Sequence, residues 1–156
     1  MKRFLLPVGK RLRDPDGQSL IEAAIITPLM LLLTIGIFEF GAMFYAFMSL
    51  QNGVSQATRF AITGNTVGGG SRVDSVKAAM RTTTPTLTIP DSAFAFSHLP
   101  SGGSAFVGGV GGPGEVEKVT INYTWTFFTP LMRPFFPSGQ MTMRVDSTMK
   151  NEPKFQ

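Results

Sequence analysis

Two carboxylates interrupt an otherwise apolar segment in the first third of the chain. Glu22 stands at the mouth of a run, Ala23 to Phe38, that has no charged side chain, and Glu39 follows that run directly. An ionised carboxylate in hydrocarbon costs about 3 kcal/mol on insertion scales, so each of these residues needs a partner or interfacial water. Both are therefore candidate functional residues.

Other residues that could do chemistry do not converge in the sequence. His98 is the only histidine, and Leu99 and Pro100 follow it with no acid or nucleophile nearby. The chain has no cysteine, which excludes a disulfide framework and a thiolate metal site. We therefore expect a protein that is not an enzyme and that has no catalytic residues, metal or cofactor.

A glycine pattern in the second half resembles a nucleotide-binding motif only formally. Gly109, Gly111 and Gly114 satisfy G-x-G-x-x-G, but Pro113 and the strand that follows leave no helix N-terminus to hold a pyrophosphate. The Gly-rich stretch 101–114 is instead expected to form a flexible hairpin loop.

A long helix must position the two carboxylates. The uncharged stretches on either side of Glu39 together far exceed the roughly 20 residues that cross a bilayer. A cleaved secretory signal is the alternative, but the apolar run is longer than a usual signal core and lacks a convincing cleavage site. Helical spacing predicts burial against a sheet for Phe40, Phe44, Phe47, Leu50, Val54, Ala57 and Ala61, with the helix stopping at Gly64-Asn65.

The charge distribution predicts how the helix faces. Of the net charge of +4, +3 lies in the leader through Gly17, which contains five basic residues, and the next basic residue is Arg59. The positive-inside rule then places the N-terminus in the cytoplasm and the chain beyond about residue 50 across the membrane. Without a basic cluster after the leader, nucleic-acid binding is not expected.

Pro28 falls early in the apolar run. It cannot donate to the carbonyl of Ala24, and its ring crowds that turn, so a bend or a locally loosened helix is expected. The kink is either incidental or used in assembly.

Gly17 is followed at the fifth position by Glu22, behind a short basic leader and ahead of a membrane-length segment. This arrangement is typical of substrates of prepilin-type peptidases. A cut after Gly17 would create a cationic amine at Gln18, within about one helical turn of Glu22. Amine and carboxylate could pair between neighbouring subunits and set their axial register, because a mismatch would leave a charge alone. Alternatively, Glu22 extends to the headgroups and pairs with nothing.

Glu39 lies near the far boundary of the first apolar run, where the outer interface would make its charge only mildly costly. The sequence leaves two alternatives open for Glu39: a contact with a companion subunit, or simple exposure to solvent.

The first half of the chain resembles the TadE-like family of pseudopilins. The resemblance rests on Gly17, Glu22, Pro28, the segment 37–41, Phe44-Tyr45, Leu50-Gln51-Asn52 and the segment 57–61. It implies a minor pilin-like component of the Tad (Flp) pilus machinery, processed by a prepilin peptidase. Its partners would be other pilins or pseudopilins, the inner-membrane assembly platform and the lipid bilayer. Residues 116–153 fit the family only in pattern, Ala23 stands where an aromatic residue is common, and residues 64–115 match nothing recognisable.

Two other interpretations remain open. The first is a type II secretion pseudopilin, which shares the pattern of a glycine followed at the fifth position by a glutamate. The second is an uncleaved, membrane-anchored binding module whose sheet and Pro-rich loop capture a partner. A major Flp pilin is disfavoured because such subunits are much shorter.

Alternating side chains predict the sheet. Residues 119–127 alternate between large apolar residues and mainly threonine, and residues 141–145 would pair antiparallel to them. A short strand is expected at 93–96 and a second helix at 73–81. The predicted class is α+β and pilin-like, with a long N-terminal transmembrane helix packed on a small antiparallel β-sheet. The predicted regions are a leader (1–17), the extended helix (18–63) and an extracytoplasmic domain (64–156).

The Pro-rich crossover Phe128–Pro137 carries more apolar surface than a solvated loop needs. It either folds over the sheet edge or binds another subunit, with Arg133 at its tip. Arg59, Arg133, Phe135 and Phe136 are the candidate partner contacts. The predicted location is a bacterial inner membrane, crossed once, with the C-terminal domain periplasmic and with incorporation into a pilus left open.

Overall fold

A computed structural model describes residues 15–155, so nearly all of the predicted leader lies outside the described residues. The first element is helix α1, Pro15–Ile62, which contains 48 residues. At 1.5 Å per residue it is about 72 Å long, more than twice the thickness of a bilayer core. The helix continues through Pro28 without a break in its secondary structure.

Helix α1 ends where its sequence predicts. The N–H of Gly64 donates to the carbonyl of Ala61 at 3.2 Å, and Gly64 has a positive φ of 71°. A left-handed residue at this position closes the last turn, and glycine adopts that conformation without a steric cost.

A second helix, α2 (Arg72–Thr83), packs against α1. Ser71 caps it, since its hydroxyl accepts from the N–H of Asp74 at 3.1 Å. The two helices approach closely at Gly53, where an added Cβ would lie 2.6 Å from the γ-methyl of Thr84. The predicted helix at 73–81 is thus confirmed and is slightly longer at both ends.

Four antiparallel strands form one sheet in the order β2-β1-β3-β4. The strands are β1 (Phe94–Leu99), β2 (Val107–Gly108), β3 (Val116–Thr126) and β4 (Gln140–Lys150). In the central pair, Trp125 lies opposite Met141 and Ile121 opposite Val145, as the alternation predicts. The α+β class, with a long helix packed on a small antiparallel sheet, is confirmed.

The core lies between α1 and the sheet. The buried stripe of α1 consists of Met43, Ala46, Leu50, Val54, Ala57 and Ala61. The prediction that Phe44 belongs to this stripe was wrong, because its side chain is 62% exposed and Met43 and Ala46 face the core instead. Counting back from Leu50, the buried residues Ala46, Met43 and Glu39 follow at spacings of four, three and four. The core face of α1 therefore begins with a carboxylate.

Candidate functional site

The N-terminal half of α1 has an exposed apolar surface. From Gly17 to Leu31 every side chain is exposed, and most remain so to Phe38. Among the described residues, α1 is the one helix long and apolar enough to cross a membrane, and none of its most apolar window is buried by the rest of the chain. Helix and surface together are those of a membrane anchor.

Gly17 and Glu22 lie at the beginning of this surface. The side-chain amide of Gln18 donates to Oε1 of Glu22 at 3.1 Å, an exposed contact across one helical turn. A Cβ on Gly17 would meet nothing within 4 Å, and Gly17 does not have a positive φ. Since glycine in a helix costs about 1 kcal/mol relative to alanine, packing and backbone conformation give no reason for glycine here.

Glu39 is buried, being only 4% exposed, which excludes solvent access, one of the two alternatives that the sequence left open. Its Oε2 accepts from the N–H of Phe128 at 3.2 Å and its Oε1 from the N–H of Thr129 at 2.5 Å. The carboxylate therefore has a partner within the chain, at the point where β3 leads into the crossover. A contact with a companion subunit is not needed to explain its burial.

The crossover divides into an inward and an outward face. Phe127 and Met132 are buried, and the ring of Phe136 stacks on that of Phe127 with centroids 4.1 Å apart. Phe40 of α1 meets both rings edge to face. Phe128, Leu131 and Phe135 point outward and are exposed. The crossover thus folds onto the sheet and also presents apolar surface, which the sequence had posed as alternatives.

Two arginines were candidate partner contacts. Arg133 is exposed beside the outward face, with its Nε donating to the carbonyl of Phe127 at 3.0 Å. Arg59 is exposed in the last turn of α1, about 30 Å along the helix from Glu39. The structure brings Glu39 and Phe136 together at the crossover, whereas Glu22 and Arg59 lie far apart along α1.

A buried ion pair that the sequence did not reveal lies at the other end of the domain. Nη2 of Arg72 is 3.5 Å from Oε2 of Glu117, whose side chain has no exposed surface. The guanidinium also donates to the carbonyls of Ala61 and Gly111, so it joins α1, α2 and the Gly-rich loop. Burial raises the pKa of Glu117, although the N–H of Gly111 and the charge of Arg72 favour its ionised form. Burial likewise lowers the pKa of Arg72 against the pull of Glu117.

The Gly-rich loop uses its backbone donors within the chain. The N–H of Gly111 donates to Glu117 and that of Gly112 to Glu115, each at 2.7 Å. Asn151 at the end of β4 donates to the carbonyl of Gly112 at 2.8 Å. The described part of the chain contains no group of three or more metal-binding side chains. These donors thus bind the protein's own carboxylates, and the loop closes this end of the sheet.

A long, exposed apolar helix continuing into a small α+β head defines a pilin-like class of protein. Within it, residues 17–59 match the model of the TadE-like protein family, which confirms the resemblance over nearly all of α1. Neither a curated protein nor a solved structure matches the chain. The match covers 43 of the 156 residues of the chain.

Proposed function

We propose that this protein is a membrane-anchored pseudopilin, a minor pilin that supports assembly of a Tad type IV pilus. In this proposal a prepilin peptidase cuts the chain after Gly17. The observation that carries it is the TadE-like match, which begins at Gly17 and covers the exposed apolar helix. The open surroundings of Gly17 support a role in recognition rather than in packing.

The proposed orientation follows from charge. A leader with five basic residues precedes the apolar surface, and Arg59 is the next basic residue along the chain. This asymmetry favours a cytoplasmic N-terminus and a head on the periplasmic side of the inner membrane. The partners would be the prepilin peptidase, other pilins or pseudopilins, and the assembly platform in that membrane.

Glu22 would act in subunit pairing. In the uncut chain its carboxylate is held by the amide of Gln18. Cleavage would turn Gln18 into a residue with a cationic α-amine, which could pair with Glu22 of a neighbouring subunit in low dielectric. The exposed side chains of α1 would then pack against other helices. We also propose a non-catalytic role, since within residues 15–155 the partners of His98 are Glu115, at 3.7 Å, and the carbonyl of Gly109.

The test is the intact mass and N-terminal residue of protein extracted from membranes of a host with the cognate peptidase. A start at Gln18 is expected, and Gly17→Val should block the cut without affecting the fold, because position 17 has open space. An intact Met1 would contradict the proposal and favour the uncleaved binding module, whose outward crossover residues would then contact its partner. A start beyond Leu50 would indicate an ordinary signal peptide.

A type II secretion pseudopilin would give the same cut at Gly17. The TadE-like match favours the Tad system over this second candidate. Deleting the Tad assembly genes of the host distinguishes the two candidates. Only a Tad subunit would then no longer be incorporated into an assembled structure.

A further inference from the structure

Met132 and Phe135 of the crossover form one wall of an apolar groove of about 420 Å³. The other wall is α1 from residue 32 to residue 40. The groove opens beside side chains of α1 that the rest of the chain leaves exposed, among them Leu33 and Ile37. The apolar surface of the helix therefore passes onto the crossover without a polar break.

The position of this groove along α1 determines its depth in a bilayer. A hydrocarbon core of about 30 Å takes about 20 helical residues, so a span that starts between Gly17 and Glu22 ends at about residue 37 to 42. Residues 32–40 lie in the last third of such a span. Met132 and Phe135 line the groove opposite α1 at that level, so they lie within the outer leaflet when α1 crosses the membrane.

Most of the backbone N–H positions of the crossover need no water. Pro130, Pro134 and Pro137 have no N–H to satisfy. The N–H groups of Phe128 and Thr129 donate to the buried carboxylate of Glu39. Carbonyls of the same segment accept from Phe127, Met132, Phe135, Phe136 and Gly139. Backbone donors that lack partners are costly in hydrocarbon, so this pairing lowers the cost of placing the loop there.

The charge of the crossover also fits a lipid surface. Arg133 is its single charged residue between Phe127 and Gly139, and it is exposed beside Phe135. A long cationic side chain at this depth reaches the phosphates while its methylenes stay among apolar neighbours. At the adjoining end of β3, the exposed ring of Phe128 packs edge to face on the buried ring of Trp125, with centroids 5.1 Å apart.

We propose that the outward face of the crossover, Phe128, Leu131 and Phe135, inserts into the outer leaflet beside α1, with Arg133 at the phosphates. Lipid acyl chains would occupy the groove. The head would then contact the membrane at a second place and be held at a fixed height and tilt. This inference rests on the proposed membrane anchoring of α1, but not on cleavage or on the Tad system.

The absence of cysteine makes a direct test possible in the full chain. The single-cysteine variants Phe135→Cys, Ile37→Cys and Phe106→Cys are labelled with an NBD fluorophore and reconstituted, without other proteins, in phosphatidylglycerol-containing vesicles. Quenching by doxyl groups on the lipid chains reports contact with hydrocarbon. Phe106 is a matched control, because it is an exposed phenylalanine at the far end of the sheet. Its ring lies near Lys118, and Lys118 is about 30 Å along β3 from Phe127 at the crossover.

We expect lipid quenching to reduce the fluorescence at position 135 as strongly as at position 37, with little loss at position 106. Quenching at 37 but not at 135 would overturn the inference while leaving the membrane anchor intact. Absence of quenching at both would show that α1 does not span the bilayer, and both proposals would fail. A blue-shifted but unquenched probe at 135 would mean burial against a second copy of the chain and would also overturn the inference. Leu131→Cys repeats the test at a second exposed position, should Phe135→Cys not fold.

Discussion

Oε1 of Glu39 lies 2.5 Å from the backbone nitrogen of Thr129, so the carboxylate that interrupts the apolar helix also fastens the crossover to it. Its other oxygen holds Phe128. A single side chain thus satisfies two adjacent backbone donors that β3 leaves unpaired where it ends. Charge-assisted hydrogen bonds of this kind are stronger than neutral ones. This strength explains why a carboxylate occupies the first position of the core face of α1.

Glu39→Ala should destabilise the protein by about 1–3 kcal/mol, since it leaves the N–H groups of Phe128 and Thr129 without an acceptor. The measurement is urea unfolding of the full chain in detergent micelles, followed by the fluorescence of Trp125. Glu22→Ala is the matched control, because that carboxylate is exposed and accepts a hydrogen bond from the side chain of Gln18 rather than from the backbone of another element. Equal losses in the two variants would contradict a structural role for Glu39.

Gly53→Ala should cost about 1–3 kcal/mol of stability by overpacking the contact between α1 and α2. The new Cβ would lie 2.6 Å from the γ-methyl of Thr84, whose rotamer is fixed by a hydrogen bond to the carbonyl of Met80. Gly41→Ala is the control, since its site is open. That variant should be neutral or slightly more stable in thermal unfolding, because alanine is the better helix former. A stable Gly53→Ala protein would mean that the helices separate easily.

Stability should depend on pH through Glu117. Burial raises its pKa in the folded protein above the ordinary 4.5, so the folded state binds more protons than the unfolded state above that pH. The contribution of Glu117 to stability therefore falls as pH rises from about 4.5 through the raised value. Unfolding free energies of the wild type and of Glu117→Gln, compared across this range, should show a difference that declines with pH. A flat difference would contradict the raised pKa.

Asp91 should show the opposite dependence. Its bond with Arg81 and the charge of Lys77 lower its pKa, so the stability it contributes is present above the ordinary value of 3.8 and is lost as pH falls through the lowered one. Asp91→Asn should therefore lower the free energy of unfolding at neutral pH and leave it equal to that of the wild type in strong acid.

Because Asp91 is exposed, this effect should shrink when salt is added, whereas the effect of the buried Glu117 should not. Denaturation with and without about 0.5 M salt, which shortens the Debye length to about 4 Å, checks both.

Glu22→Leu should impair pilus assembly while leaving membrane insertion and folding intact. The side chain is exposed and lies outside the core, so its removal affects only what another molecule would contact. Membrane fractionation and pilus counts on the same cells give the two readouts. Normal piliation in this variant would favour the uncleaved binding module.

The sequence predicted elements whose signals are local. Gly64 ends α1 and the alternation around Tyr123 marks β3, because each signal depends on residues a few positions apart. The exposed start of α1 also followed from composition alone. Strand β2 was not predicted, since two residues, Val107 and Gly108, give no periodic pattern.

The contacts that the sequence missed join residues far apart in the chain. Glu117 stands between Val116 and Lys118 at the start of β3, and nothing in this charged stretch marks it as buried until the fold brings Arg72 beside it. Glu39 was assigned to an interface because its partners are main-chain atoms about 90 residues away, which no motif records. Its spacing of four residues before Met43 was a usable signal, since it continues the buried stripe of α1.

Helix α1 passes from the exposed apolar surface into the core without a joint, because Glu39, Met43 and Leu50 lie on one continuous face. No loop separates the two halves of α1, so a rotation or displacement of its exposed N-terminal half is passed to the head through the helix backbone itself.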